Sequence, residues 1–358
     1  MPLRYSLSQD LGKQIPCCSL GLSSEGLVTV SFPSDPVTHA QIRKIRPRGQ
    51  WRRSLRRWEF PFSAVDQLIN QFGERFSVEP ELLEWVNCFE NPLPSLPPPK
   101  ELLAKCCAQD PLIDGRKLLP HQLSGARWLV TQRGALLSDE MGLGKTLTAL
   151  TAAKAIVISS NLKVIVVAPI SIHPHWLKEA KALDLKINLY SWSALPKDLP
   201  SSGALLLVDE AHFAQSLTAK RTRCLLRLAR HPRLHSIWMI TGTPMKNGRP
   251  SELFPLLAAI DHPLALDQKK FEKHFCAAYW RKVNDYSIWD CKGASNLNEL
   301  KEILNLFMLS RKKDKIIKLP PKSRKNHYVT LSLSEQKGFN CRLTIVIDEY
   351  RERVKSGL

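Results

Sequence analysis

Four short apolar runs set the first expectation. GALLS (134–138), KVIVVAP (163–169), GALLLVDE (203–210) and SIWMITG (236–242) each end in a polar or glycine-containing turn. Such runs suit strands buried on both faces of a parallel sheet. Between them lie helical stretches, notably Gly144–Ile158 and Leu217–Ala229. The alternation predicts an α/β fold with a doubly wound parallel sheet. In such sheets ligands bind beyond the carboxyl ends of the strands. Earlier in the chain the pattern differs. A β-like piece lies around Leu27–Phe32, and apolar positions at Val65, Leu68, Ile69 and Phe72 form a helical stripe. A second short amphipathic helix is expected over Pro80–Phe89. These elements predict a small α+β domain ahead of the sheet.

The boundary between the two is NPLPSLPPPK, residues 91–100, with five prolines in ten positions. Such a run favours extended polyproline II, a stiff spacer. It separates residues 1–90 from the rest. The longest apolar stretches, Ala149–Ser160 and Leu162–Ile172, are broken by Lys154 and Lys163 and fall short of a membrane span. The N-terminus lacks the charged and apolar regions of a secretory signal.

Composition then changes the picture in one respect. The 358 residues carry 52 Lys+Arg against 33 Asp+Glu, a formal net charge of +19. A surplus of that size points to a polyanion, with nucleic acid first and a solvated basic surface as the bland alternative. The charge is concentrated. QIRKIRPRGQWRRSLRRW (41–58) has eight basic and no acidic side chains, and Arg43, Lys44, Arg46, Arg52 and Arg53 are candidate DNA contacts. Arg311, Lys312, Lys313, Lys315, Lys318, Lys322, Arg324 and Lys325 form a second patch opposed only by Asp314. Trp51 and Trp58, within the first patch, could stack on unpaired bases or anchor a small core. Nine cysteines with no CxxC spacing suggest reduced thiols inside a cell, and no structural metal site is expected.

Three of the four strands run into candidate chemistry. DEMGLGKT (139–146) follows the first. Gly142 and Gly144 give a phosphate-binding loop its inward-pointing amides. Lys145 would reach the β- and γ-phosphates, the Thr146 hydroxyl would hold Mg²⁺, and the helix dipole would add to both. The general loop has glycine where Asp139 stands, and a bare GLGKT also occurs as an ordinary loop. VDEAH (208–212) ends the strand ALLLV. Asp209 would bind Mg²⁺ through water and Glu210 would orient and deprotonate an attacking water. Acidic capping of a helix would also produce this pair. TGTP (241–244) closes the strand SIWMI and could relay motion, or be simple turn chemistry. Upstream, Gln122 in LLPHQLSGARWL has an amide suited to an adenine edge, or to a plain helix surface.

The ordered set HQLSGARWL, DEMGLGKT, VVAPISIHPHW, VDEAH and ITGTPMKN resembles the first motor lobe of Swi/Snf-type ATPases, in superfamily two of the helicases. The match runs over about residues 115–325, and Asp139 in place of glycine is typical of that family. The later strings MKNGRPSELFPLL, WDCKGASNLNELKEIL and FMLSRKKDKIIKLPPKSRK resemble the distal branch that holds annealing helicases, which remodel stalled replication forks. The basic segment followed by WEFPFSAVDQLI resembles the HARP module of that branch.

The resemblance implies a RecA-like ATP-binding lobe over 101–325, a HARP-like DNA-recognition module over 1–90, and the start of a helical extension over 326–358. It implies ATP and Mg²⁺ as cofactors, and Asp139, Glu140, Met141, Gly142, Leu143, Gly144, Lys145 and Thr146 as the nucleotide loop, with Gln122 at the adenine. Lys145, Asp209 and Glu210 would be catalytic. His212, Thr241, Gly242 and Thr243 would couple nucleotide state to DNA grip, and Ser171 would contact the DNA backbone. In FMLSRKKD the family more often has a second arginine where Ser310 stands. The expected partner is forked or partly single-stranded DNA, without a membrane, in the nucleoid or nucleus. The family motor has a second lobe that supplies an arginine finger, worth about 10³–10⁵ in rate or roughly 4–7 kcal/mol of barrier. No second lobe is read before Leu358, so a second chain could complete the cleft. The rival expectation is an ATP- and DNA-binding protein that cannot turn ATP over alone. An RNA-directed relative is a third, because DEAH occurs there too.

Overall fold

The computed structural model describes residues 18–90, 99–107, 112–245, 248–283, 286–317, 330 and 332–355. The first part is a five-stranded mixed sheet. Its elements are β1 (Ser19–Leu22), β2 (Val28–Ser31), α1 (Pro36–Ile42), β3 (Gln50–Arg52), β4 (Arg57–Phe60), α2 (Val65–Phe72), β5 (Ser77–Val78) and α3 (Pro80–Glu90). The strand order is β3-β4-β2-β1-β5, antiparallel except for β1 with β5. Val65, Leu68, Ile69 and Phe72 of α2 are all buried and pack with Leu20, Val28, Val30 and Phe60 into a separate core. The predicted stripe is therefore the face that holds this sheet.

After the proline-rich stretch come α4 (Pro99–Cys107), α5 (Pro120–Leu129), β6 (Gly134–Leu137), α6 (Lys145–Val157), β7 (Lys163–Val167), α7 (His173–Ala182), β8 (Ile187–Tyr190) and β9 (Ala204–Asp209). Then follow α8 (Lys220–Ala229), β10 (Leu234–Ile240), α9 (Phe254–Ala259), α10 (Gln268–Phe275), β11 (Tyr279–Val283), β12 (Tyr286–Asp290), α11 (Leu297–Leu304), β13 (Met308–Leu309) and α12 (Lys313–Ile316). The last two residues of the expected spacer thus open α4, where proline is tolerated in a first helical turn. Its residues 91–98 lie outside the described residues.

Six strands form one parallel sheet in the order β13-β6-β10-β9-β7-β8. Alternation by two assigns each strand's side chains to two layers. Leu205 and Leu207 of β9, with Val164 and Val166 of β7, face the layer that contains α4 to α7. Leu206 and Val208, with Ile165 and Val167, face the layer of α8 to α11. Burial on both faces explains why these strands read as unbroken apolar runs. The architecture is a RecA-like α/β lobe.

The first sheet's module rests on α8. The Arg227 guanidinium meets Glu81 and lies 5.4 Å above the Trp85 ring, and Trp85 contacts His231 edge-on at 4.9 Å. Arg230 donates to the Glu25 carbonyl at 2.7 Å. A separate unit, residues 317–358, contains the helix α13 (Leu333–Lys355).

Candidate functional site

The lysine loop leaves β6 at Leu137 and turns through Gly142 (φ 85°) and Gly144 (φ 74°), conformations that side chains with a Cβ resist. At Gly144 crowding adds to this, since a Cβ would lie 2.2 Å from Nε2 of Gln122. α6 begins at Lys145 with no side-chain cap and no acidic residue in its first turn. Its leading amides are left to an anion. Lys145 is half-buried and donates from Nζ to the Asp139 carbonyl at 2.8 Å. Burial lowers its pKa below the ordinary ammonium range, against the opposing pull of Asp209, Asp139 and Glu210. Thr146 follows, half-buried. Glu140 and Met141 are exposed and Leu143 is buried.

The acidic pair lies at the end of β9. Asp209 is buried, and its carboxylate accepts from Trp176 Nε1 and from the Glu210 amide, both at 2.8 Å. Trp192 Nε1 donates to the Asp209 carbonyl at 3.0 Å. Burial raises the Asp209 pKa above the ordinary carboxylate range, and the Glu210 charge adds to the rise. The Trp176 hydrogen bond, the Glu210 amide and Lys145 pull the other way. Glu210 takes a left-handed backbone (φ 48°), and its Oε2 lies 3.1 Å from His212 Nδ1.

β10 runs between β6 and β9, so the third loop lies between the other two. The Thr241 amide donates to the Leu137 carbonyl at 3.1 Å, and the Thr243 amide to Thr241 Oγ1 at 3.1 Å. A methyl on Gly242 would stand 3.6 Å from Met141 Cγ and 3.7 Å from Lys145 Nζ. Gln215 Nε2, beyond the acidic pair, donates to the Pro244 carbonyl at 3.1 Å. The three motifs thus share one site at the carboxyl edge of the sheet. Its chemistry is one cation, two carboxylates and a helix N-terminus. These residues fit a magnesium nucleotide, because the half-buried ammonium and the uncapped amides need anionic partners.

Two of the expected nucleotide contacts are engaged elsewhere. The side chain of Asp139 is 0% exposed and turned into the lobe. It accepts from Arg311 through the backbone amide (3.0 Å), Nε (2.9 Å) and Nη2. Only its carbonyl reaches Lys145. Gln122 is buried, with its amide oxygen accepting from the Leu119 amide at 2.9 Å and its Nε2 3.5 Å from the Leu143 carbonyl. That places it as a brace of the loop in this state.

Arg311 itself departs from the expectation of a solvated basic patch. Its Nη1 also donates to the His121 carbonyl and Ser124 Oγ, so it joins α5, β6 and the end of β13. Ser310 Oγ donates to the Ser138 carbonyl at 3.2 Å. Lys318, Lys322, Arg324 and Lys325 lie outside the described residues. Trp176, Trp192 and Arg311 are the site residues that sequence reasoning missed. The available signal was that a buried carboxylate needs donors.

Of the other candidates, Ser171 is exposed on a short 3-10 turn after β7. Arg43, Lys44 and Arg53 are exposed. Arg46 donates to the carbonyls of Arg43 and Ile45, and Arg52 pairs at 2.8 Å with the buried Glu59. Trp58 hydrogen-bonds His39 and packs on the core, which favours the anchoring role for it, whereas Trp51, 5.7 Å from Trp58, is 40% exposed.

The SNF2-related domain family matches residues 121–194 and 200–356, more than half of the chain. Among curated proteins, the DNA annealing helicase and endonuclease ZRANB3 of Mus musculus is 30% identical over 240 residues, covering 58% of this chain and 22% of its own length. The SWI/SNF-related matrix-associated actin-dependent regulator of chromatin subfamily A-like protein 1 of Xenopus tropicalis is 29% identical over 238 residues, covering 59% and 24%. The chain therefore spans less than a quarter of these relatives. Among solved structures, the Sulfolobus solfataricus SWI2/SNF2 ATPase core in complex with dsDNA aligns over 55% of this chain and 45% of that one. The identity is 22% and the TM-score 0.44.

Proposed function

The chain belongs to the SNF2-related domain family, and from that premise we propose that it is the ATP-binding lobe of a DNA-dependent ATPase of the annealing-helicase type. The observation that carries the reading is the convergence of Lys145, Asp209 and Gly242 at the ends of β6, β9 and β10, around the uncapped start of α6.

In this reading the ammonium of Lys145 leaves the Asp139 carbonyl for the β- and γ-phosphates. The α6 amides and the backbone of 140–144 hold the remaining oxygens. Thr146 and Asp209 hold Mg²⁺, which when bound neutralises charge on the phosphate oxygens. Trp176 keeps the Asp209 carboxylate aimed at that position, and Trp192 fixes the backbone behind it. Glu210 orients the attacking water and takes its proton. His212, against Glu210, and Thr241 to Thr243, against Lys145, sense whether the site is filled. Ser171 and the exposed cations Arg43, Lys44 and Arg53 meet the DNA backbone, the last three as part of a HARP-like module. Arg46 and Arg52 add charge from their paired positions. The reading takes the arginine finger from a second RecA-like lobe, in the same polypeptide or another. It puts the protein inside the cell with the DNA. Among the described residues no helix is long and apolar enough to cross a membrane.

Filter retention of a slowly hydrolysed ATP analogue, with and without magnesium, tests the site. Magnesium-dependent retention lost in Lys145→Ala is expected, and no retention by the wild type overturns the reading. Equilibrium binding of forked DNA, duplex DNA and RNA of equal length tests the substrate, with forked DNA expected to bind most tightly and RNA binding as tightly overturning the DNA assignment.

A further inference from the structure

Among the described residues β11 and β12 pair only with each other, in antiparallel register from Tyr279↔Asp290 to Val283↔Tyr286. Two strands alone are marginal in water. This hairpin is held at its base. Trp289 Nε1 donates at 2.6 Å to Glu272, a buried carboxylate of α10 that also accepts from Gln268. Ser295 and Asn296 bond the His274 carbonyl at 2.7 and 2.8 Å, and the Ser295 amide bonds that of Phe275.

Beyond this fixed root the arms are bare. Tyr279 is 56%, Trp280 61% and Tyr286 76% exposed, and Ile288 is exposed beside them. Alternation puts Tyr279, Arg281, Tyr286 and Ile288 on one face, and Trp280 with Lys282 on the other. Exposed aromatic rings on a rigid mount call for an occupant. The surroundings indicate its charge. Residues 268–292 carry six Lys/Arg against three Asp/Glu. Of the three, Glu272 is buried and Asp290 lies 3.7 Å from Arg281. Lys269, Lys270, Lys273, Lys282 and Lys292 are exposed. The area argues against a protein partner. Three rings of about 150–250 Å² each, divided between two faces, fall short of the roughly 800 Å² per partner of a stable interface. A base needs only one ring face.

We propose that the β11–β12 hairpin is a stacking platform for the unpaired bases of single-stranded nucleic acid, with Trp280 and Lys282 on one face and Tyr286 on the other, so that a strand passing over the hairpin meets a ring on each side. Interleaved aromatic and basic side chains suit such strands because every base has a π-face and every linkage a charge. The inference rests on the reading of the chain as DNA-directed. It adds to that reading where unpaired strand is gripped, on an element apart from the nucleotide loops and from the 41–58 segment.

The test is fluorescence anisotropy of a labelled oligothymidine, and of the same label on a forked duplex, with the full chain. Trp280→Ala and Tyr286→Ala should each weaken oligothymidine binding by about 5- to 100-fold. Trp280→Phe and Tyr286→Phe should keep most of it, and the salt dependence of the alanine variants should match the wild type. Lys282→Ala should instead reduce the slope of log affinity on log salt for oligothymidine by about 0.7. Magnesium-dependent nucleotide retention, unchanged in every variant, shows an intact lobe. Wild type that binds DNA, with alanine variants that bind equally well, overturns the platform and leaves the DNA reading standing. Wild type that binds no DNA overturns both. Alanine variants that alter only concentration-dependent sedimentation show a protein contact, and overturn the platform.

Discussion

Arg311→Ala isolates what holds the nucleotide loop in the lobe. Asp139 is fully buried, so its charge has no water in reserve, whereas the Arg311 side chain is 15% exposed. The substitution removes the donors at Nε and Nη2, leaves only the backbone amide on Asp139, and takes one donor from the His121 carbonyl and from Ser124 Oγ, which keep their mutual bond at 3.0 Å. Breaking a buried pair from one side costs about 3–5 kcal/mol, mostly because the remaining charge stays buried. Asp139→Asn should cost less, about 2–3 kcal/mol, because it keeps an acceptor and leaves a cation that can find some solvent. Asp139→Asn with Arg311→Met removes both charges and keeps the volume. The double variant should then lose at least about 1 kcal/mol less than the sum of Asp139→Asn and Arg311→Met. Urea unfolding followed by far-ultraviolet circular dichroism measures each, provided the slope with urea is constant across the set. An Arg311→Ala cost under about 1 kcal/mol, or single losses that add to within about 0.5 kcal/mol, would refute this account of the loop.

Two further outcomes follow from shifted titrations. Because burial raises the Asp209 pKa in the folded state, folding binds a proton there, and the stability that goes with it is present at low pH and lost as pH rises through the raised value. Relative to wild type without nucleotide, Asp209→Asn should therefore be most favourable at neutral pH and lose that advantage as pH falls. An advantage that grew toward acid would contradict the sign. Burial also pushes the Cys276 thiol up to about 12, with Cys291 and Glu272 adding to the rise. At pH 8 its thiolate fraction is about 10⁻⁴, whereas Cys341 is exposed. Mass-spectrometric timing of native alkylation should find Cys341 modified well before Cys276, and early labelling of Cys276 would show that its pocket is open.

The four central strands were legible because each is buried on both faces and must be apolar throughout. The sheet's edges were not. β13 is two residues long and β8 is half-exposed, so neither leaves a continuous run. The β11–β12 hairpin was missed for a related reason, since its arms bury no face and give no alternation of apolar and polar positions. At the site, local strings were enough for Lys145, Asp209 and Glu210, whose order follows the strand ends. Trp176 and Arg311 escaped because their partners are 33 and 172 residues away. Arg311 was also disguised by Lys312 and Lys313 beside it, which gave a buried side chain the appearance of a surface charge.

That disguised residue accounts for the departure of the phosphate loop from the general pattern. Where glycine would only free the backbone, Asp139 brings a carboxylate to the first position of the loop, and the lobe answers it with a single guanidinium from beyond β13. The Glu140 amide on the Arg311 carbonyl and the Lys313 amide on the Glu140 carboxylate, at 3.0 and 2.7 Å, fasten the next residue to the same segment. The loop is therefore positioned from both ends, by α6 after it and by the chain 172 residues later. Lys145 bonds the carbonyl of the same residue whose carboxylate Arg311 holds. In the proposed reading, phosphates that draw Lys145 from that carbonyl leave Arg311 as the side-chain hold on Asp139, so Arg311→Ala is expected to weaken magnesium-dependent nucleotide retention as well as stability.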